Sequence, residues 1–126
     1  MNATQNFADL FRADHDHGGK GVFGLTEDIL TYCRIYQRKM RWTQGLVVVQ
    51  PIEGGNEERL SVALRASILR TVIARLAALC NQRQVNSVSP YGGQGEFIDD
   101  RPPATTFRIT FSNTPDEQWL EIAPVV

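Results

Sequence analysis

The clearest periodic signal in this chain is an alternation of apolar and polar residues between positions 106 and 112. Phe107, Ile109 and Phe111 fall on one side of an extended segment, because successive side chains of a strand point to opposite faces. The pattern predicts a strand with one face in the core. A turn rich in Asn, Pro and Asp follows, and the segment 119–123 then returns as the partner strand of a hairpin.

Two other segments are predicted as strands, the first of them because it is short and rich in β-branched residues. The first, 46–52, is almost continuously apolar and ends at a Glu-Gly-Gly turn. The second is 85–89, which leads into a glycine-rich turn. The stretch 90–103 is predicted as a long loop, with room for one short additional strand near Phe97.

Three segments are predicted as helices from the spacing of their apolar residues: 4–13, 27–41 and 57–80. In the second segment Thr26 is placed as the N-cap, with acidic residues in the first turn and basic residues in the last, which suits the helix dipole. Helices that precede a run of strands favour an α+β fold. We therefore predict one domain, 1–126, with two N-terminal helices and one long helix packed on a mostly antiparallel sheet of about four strands, in the order α-α-β-α-β-β-β.

Composition narrows the class of protein without specifying a function. The 126 residues include 13 basic and 14 acidic side chains, and the net charge of −1 gives no general attraction to nucleic acid or to a membrane surface. The N-terminal segment has neither the basic start nor the apolar stretch of a secretory signal. Cys33 and Cys80 stand among apolar neighbours, which indicates two buried thiols in a reducing compartment. We expect a cytoplasmic protein that does not span a membrane.

Arg65 is the first candidate site residue, because the third predicted helix places it at the centre of a broad apolar arc. A buried guanidinium without a partner is very costly, so Arg65 would need a carboxylate or a bound anion. The glycine-rich loop supplies Glu96, Asp99 and Asp100, together with Tyr91. These residues form the predicted ligand pocket between the long helix and the sheet. The simpler alternative is that the core begins after Arg65 and leaves it in water.

A second hypothesis is a nucleic-acid interface on the helix predicted over 27–41. Arg34, Arg38 and Arg41 recur there at helical spacing, and Trp42 follows them. Arginines on one face can contact a phosphate backbone, and a tryptophan ring can stack on a base. The balanced net charge argues against nucleic acid as a partner and favours a solvated helix face.

The segment 14–17 holds both histidines of the chain, His15 and His17, each next to an aspartate. Imidazole and carboxylate together suit zinc or a redox metal. With Glu96 or Asp99 they define a third hypothesis, a small metal-dependent hydrolase. The spacing is poor for one ion, and polar loops are rich in these residues in any case. The sequence assembles no catalytic triad, so it leaves open whether the protein is an enzyme.

The motif at 19–24 matches Gly-x-Gly-x-x-Gly, but a predicted helix precedes it where a dinucleotide site has a strand. Glu27 and Asp28 place negative charge where a phosphate would bind, so we expect no cofactor. The function that the sequence favours is a non-catalytic small-molecule-binding or regulatory module for a small anionic or apolar ligand. The apolar segments 46–49 and 68–80 predict self-association, most simply as a homodimer.

Overall fold

The computed structural model describes residues 3–12, 21–62, 64–82 and 88–125 of the chain. It confirms the α+β class. The elements in chain order are α1 (Ala3–Leu10), α2 (Gly21–Tyr36), β1 (Arg38–Thr43), β2 (Leu46–Pro51), β3 (Glu58–Ser61), α3 (Ala66–Cys80), β4 (Gly92–Asp99), β5 (Thr105–Asn113) and β6 (Gln118–Pro124).

The described strands form one six-stranded antiparallel sheet with the spatial order β3-β2-β1-β6-β5-β4. The sheet is larger than predicted, because β1 and β3 were assigned to helices. At its centre β1 pairs with β6, which places Met40 opposite Ile122 and Trp42 opposite Leu120. The two halves of the chain therefore meet in the middle of the sheet, and β3 and β4 form its edges.

Two helices pack on the same face of the sheet. α2 lies on β1 and β6, and α3 lies on β4, β5 and β6. α1 joins this layer through aromatic rings: Phe7 stacks on Tyr32 with centroids 4.2 Å apart, and Phe11 meets Trp42 edge-on at 5.0 Å. The opposite face of the sheet carries exposed and half-buried side chains and is covered by no described helix. None of these helices combines the length and apolar character needed to cross a membrane.

The second predicted helix is wrong at both ends. α2 begins at Gly21 and stops at Tyr36, and Gln37, with φ of 51°, turns the chain into β1. Thr26 lies inside the helix, where its hydroxyl donates to the carbonyl oxygen of Val22 at 3.0 Å instead of capping an end. The third residue of the sequence motif 19–24, Gly21, is therefore the first residue of α2.

The chain after α2 alternates with the period of a strand. Met40 and Trp42 are buried beneath the helices, whereas Lys39 and Arg41 are exposed on the opposite face. Basic side chains also suit the last turn of a helix, which is why local charge favoured a longer helix. Pairing with β2 and β6 decides in favour of the strand, because it satisfies the backbone on both sides and buries two large side chains.

The third predicted helix is too long at its N-terminal end. Glu58–Ser61 forms β3, which pairs with β2, and the helix begins only at Ala66. Gly54 and Gly55, with φ of 93° and 127°, lie in the reversal between β2 and β3, where a side chain would be strained. Arg65 precedes α3 with an extended backbone and is exposed.

The predicted strands at 46–52, 106–112 and 119–123 are confirmed as β2, β5 and β6. Along β5 the apolar side chains enter the core as the alternation requires, and Arg108 is exposed. The residues of the sheet that are almost fully buried include Trp42, Val47, Phe107, Ile109, Phe111, Leu120 and Ile122.

The predicted loop over 90–103 is wrong, because Gly92–Asp99 forms β4 along the whole of β5. The strand predicted near Phe97 is thus longer than expected. Of the strand predicted at 85–89, residues 85–87 lie outside the described residues, and Ser89 makes an isolated bridge with Gly92.

Candidate functional site

A groove lies on the face of the sheet that the helices leave open. It crosses β3, β2, β1 and β6 and has a volume of about 430 Å³. Cavities that hold small molecules start at roughly 300 Å³, so the groove is large enough for one. Its lining residues are Lys39, Met40, Arg41, Thr43, Leu46, Val48, Gln50, Glu57, Arg59, Glu121, Ile122 and Ala123.

Strand alternation explains why this groove is both apolar and charged. Leu46 and Val48 are half-buried on the open side of β2, because their neighbours Val47 and Val49 fill the core on the other side. Ala123 adds a small apolar surface from β6. A near-continuous apolar strand therefore supplies apolar floor to the groove as well as to the core.

The charges of the groove do not balance. Arg41 pairs with Glu121 at 3.5 Å, and Arg59 pairs with Glu57 at 2.9 Å. Lys39 makes no ion pair within the part of the chain that the structure describes. Three cations and two carboxylates are among the described lining residues, which leaves a local charge of +1 at Lys39.

A second cavity, which we call the recess, lies beside β4 and has a volume of about 260 Å³. Its floor includes the apolar side chains of Leu30, Leu79 and Phe97, and Cys80. Its remaining lining residues are Glu27, Gln82, Glu96, Ile98, Asp99, Asp100 and Arg101.

Asp99 is held at the end of β4 by two arginines. Arg101 donates to it from Nε at 3.0 Å and from Nη2 at 2.7 Å, and its backbone N–H donates at 3.1 Å. Arg34 Nε lies 3.5 Å from Asp99 Oδ2. The hydrogen bond from the Arg101 side chain is the main reason that the pKa of Asp99 lies below its usual value.

Arg34 is the buried arginine among the described residues. It is only 5% exposed, and its Nη1 donates to the carbonyl oxygen of Pro102 as well as pairing with Asp99. The sequence predicted this kind of pair, a buried guanidinium with a carboxylate of the 90–103 segment, but assigned it to Arg65. The error follows from the overlong third helix, which placed Arg65 on an apolar face.

The residues of the predicted pocket lie in three separate places. Glu96, Asp99 and Asp100 line the recess. Arg65 is exposed and lines a different cavity, of about 190 Å³, beside the start of α3. Tyr91 is 69% exposed and lines neither cavity. The structure therefore does not bring Arg65 and Tyr91 to the three carboxylates.

The arginine stripe predicted for a nucleic-acid interface is not a helix face. Arg34 is buried on α2, whereas Arg38 and Arg41 belong to β1. Trp42 is 2% exposed and points into the core, so its ring cannot stack on a base. Of the four residues of the predicted interface, Arg41 is the one that reaches the open face, where its guanidinium lies 5.7 Å from the centre of the ring of Trp119 in β6.

The predicted metal ligands His15 and His17 lie outside the described residues. Among the residues that are described, no group of three or more His, Cys, Asp or Glu side chains could hold a metal ion. Both cysteines are buried free thiols, as predicted. Burial raises the pKa of Cys33 to about 12 and, together with the Glu96 carboxylate, that of Cys80 to about 11. Neither thiol is therefore a nucleophile at neutral pH.

The groove was missed from the sequence, although one signal for it was present. The alternation of Met40 and Trp42 with Lys39 and Arg41 shows which side chains face away from the core. No local pattern shows that neighbouring strands bring further residues to the same face. These residues are Val48 from β2, Arg59 from β3, Glu121 from β6, and Glu57, which precedes β3.

The architecture is an antiparallel sheet with helices on one face and an open, grooved face on the other. No family model, curated protein or solved structure matches this chain.

Proposed function

We propose that this protein is a non-catalytic binding module that holds a small amphiphilic anion in the groove. One observation carries the proposal: Lys39, a cation without an ion-pair partner among the described residues, lies beside an apolar floor of Leu46, Val48 and Ala123. A ligand with a carboxylate, sulfonate or phosphate joined to an apolar part matches both features.

Each part of such a ligand has a physical reason to bind. Its apolar part gains about 25 cal/mol for each Å² of apolar surface removed from water. Its anionic group meets Lys39 and the half-exposed Arg41, whose neighbour Glu121 balances one of these two charges. Because the groove is open to solvent, screening keeps the electrostatic gain modest and the expected affinity moderate.

The described lining residues of the groove favour binding over catalysis. Among its described lining residues there is no histidine, cysteine or serine, and the hydroxyl of Thr43 has no histidine beside it to act as a general base. Its two carboxylates, Glu57 and Glu121, are each paired with an arginine. Binding without chemistry is the function that this set of side chains supports.

The test uses the fluorescent amphiphilic anion 8-anilinonaphthalene-1-sulfonate as the probe. We expect saturable binding that weakens by about fivefold or more in Lys39→Glu, because the change replaces attraction by repulsion. Arg70→Glu is the matched control: it makes the same change in net charge on the exposed side of α3 and should bind as the wild type does. Equal binding by all three proteins would contradict the proposal.

Competition separates the proposed ligand class from others. Octanoate should displace the probe, whereas octyltrimethylammonium, which has the same apolar chain and the opposite charge, should not. A single-stranded oligonucleotide is the third competitor. If it displaces the probe with a log–log salt slope of about −2 or steeper, nucleic acid is the ligand and the proposal is wrong.

A further inference from the structure

The two edges of the sheet differ in how well they are protected against pairing with another strand. β3 has four residues, two of which are the exposed charged residues Glu58 and Arg59. Short, charged edge strands resist further pairing. β4 has eight residues and contains neither proline nor lysine, the residues that most often block an edge. Within the described residues, β4 is therefore the edge that is more open to a further strand.

One hydrogen bond identifies which backbone groups of β4 point outward. Asn113 N–H donates to the carbonyl oxygen of Tyr91 at 2.8 Å, so these two residues form a hydrogen-bonded pair of the ladder. Hydrogen-bonded pairs alternate in an antiparallel ladder, so the backbones of Gly93, Gly95, Phe97 and Asp99 also face β5. Those of Gln94, Glu96 and Ile98 face away from the sheet, where no described residue outside β4 bonds to them.

Apolar side chains lie along the β4 edge on both faces of the sheet. Phe97 is half-buried on the helix side, with its ring 5.6 Å from that of Phe107. Ile98, on the other side, is 45% exposed. The recess runs along the same strand and has an apolar floor. A strand added here would gain both backbone hydrogen bonds and apolar contacts.

The charges along the edge favour a second copy of this chain over a charged partner. Asp99 is neutralised by Arg34 and Arg101, and Glu96 pairs with Arg108 at 3.0 Å. These carboxylates therefore leave little charge to repel an identical strand or to attract a basic one.

We propose that β4 pairs antiparallel with β4 of a second copy, about a two-fold axis at Phe97, so that two six-stranded sheets become one. In this register the Phe97 rings of both copies lie side by side, and each reaches the other's recess. Glu96 exchanges backbone hydrogen bonds with Ile98 of the second copy. A register centred on Glu96 would instead place two carboxylates opposite each other, which is destabilising.

Sedimentation of proline variants tests the edge. The wild type should form a species of twice 14.1 kDa that dissociates on dilution between about 100 and 1 µM. Glu96→Pro removes an outward N–H and leaves the β5 ladder intact, so it should be a folded monomer. Glu96→Gln keeps that N–H and should remain a dimer. Ser61→Pro removes an outward N–H from β3, the opposite edge of the sheet, and this variant should also remain a dimer.

Disulfide trapping tests the register. In Phe97→Cys, two thiols face each other across a non-hydrogen-bonded pair, where Cα atoms lie about 4.5 Å apart and a disulfide fits. Ile98→Cys places its two thiols out of register, so mild oxidation should cross-link the first variant and leave the second uncross-linked. A wild type that is monomeric at about 100 µM, a dimeric Glu96→Pro, or cross-linking of Ile98→Cys instead of Phe97→Cys would overturn the proposal.

Discussion

Replacing Arg34 by methionine should destabilise the fold by about 3 kcal/mol. Methionine keeps most of the apolar stem but removes the guanidinium that pairs with Asp99 and donates to Pro102. Breaking a buried ion pair costs about 3–5 kcal/mol, and losing a hydrogen bond from a charged donor costs about 1.5–3 kcal/mol. Because Arg101 still neutralises Asp99, the first cost falls below its usual range, and the sum is about 3 kcal/mol.

Urea unfolding followed by circular dichroism measures this loss as a lower midpoint at unchanged slope. In a thermal scan the same loss corresponds to a decrease in Tm of about 12 °C. Arg65→Met is the matched control: Arg65 is exposed, so its change should stay within about 0.5 kcal/mol. If Arg34→Met and Arg65→Met both lie within about 0.5 kcal/mol of the wild type, the buried pair contributes nothing and the reasoning is refuted.

Three further changes test the core and the electrostatics. Phe107→Ala should cost about 3–5 kcal/mol in urea unfolding, because the ring is fully buried; a cost below about 1 kcal/mol would contradict its place in the core. The pKa of Asp99 is lower in the folded protein than in the unfolded chain. The ionised carboxylate therefore stabilises the fold above the ordinary carboxyl pKa, and this stabilisation is lost as the pH falls through the lowered value. Wild-type stability should therefore decrease more steeply in acid than that of Asp99→Asn, and parallel curves would refute this. Gly95→Ala should cost about 1–3 kcal/mol, because its Cβ would lie 3.0 Å from Cys80, whereas the exposed neighbour Gln94→Ala should change melting little.

The sequence by itself determined the elements whose pattern is local. β5 follows from the alternation around Phe107 and Ile109, because a half-buried strand must alternate wherever it lies in the fold. β2 could be predicted from a run of β-branched residues that ends at glycines. β6 could be predicted because it follows β5 across a short turn. The burial of both cysteines also followed from their immediate neighbours. These features need no knowledge of distant partners.

The same local reasoning gave the wrong length for two helices. Arg38–Thr43 and Glu58–Ser61 carry charges that suit helix ends, yet both are strands. Helix propensities differ by less than about 1 kcal/mol per residue, so pairing with a neighbouring strand easily outweighs them. That pairing depends on strands elsewhere in the chain, which a local pattern does not reveal.

The candidate sites were decided by the tertiary structure. Arg34 and Asp99 are far apart in sequence and meet because α2 packs on the sheet beside the end of β4. The sequence indicated that a buried arginine would need such a carboxylate, but helix length determined which arginine it was. The groove likewise draws Lys39, Val48 and Arg59 from three strands, and strand order together with register places them on one face. Composition supplied the chemical groups, and the long-range pairing of the sheet determined which of them meet.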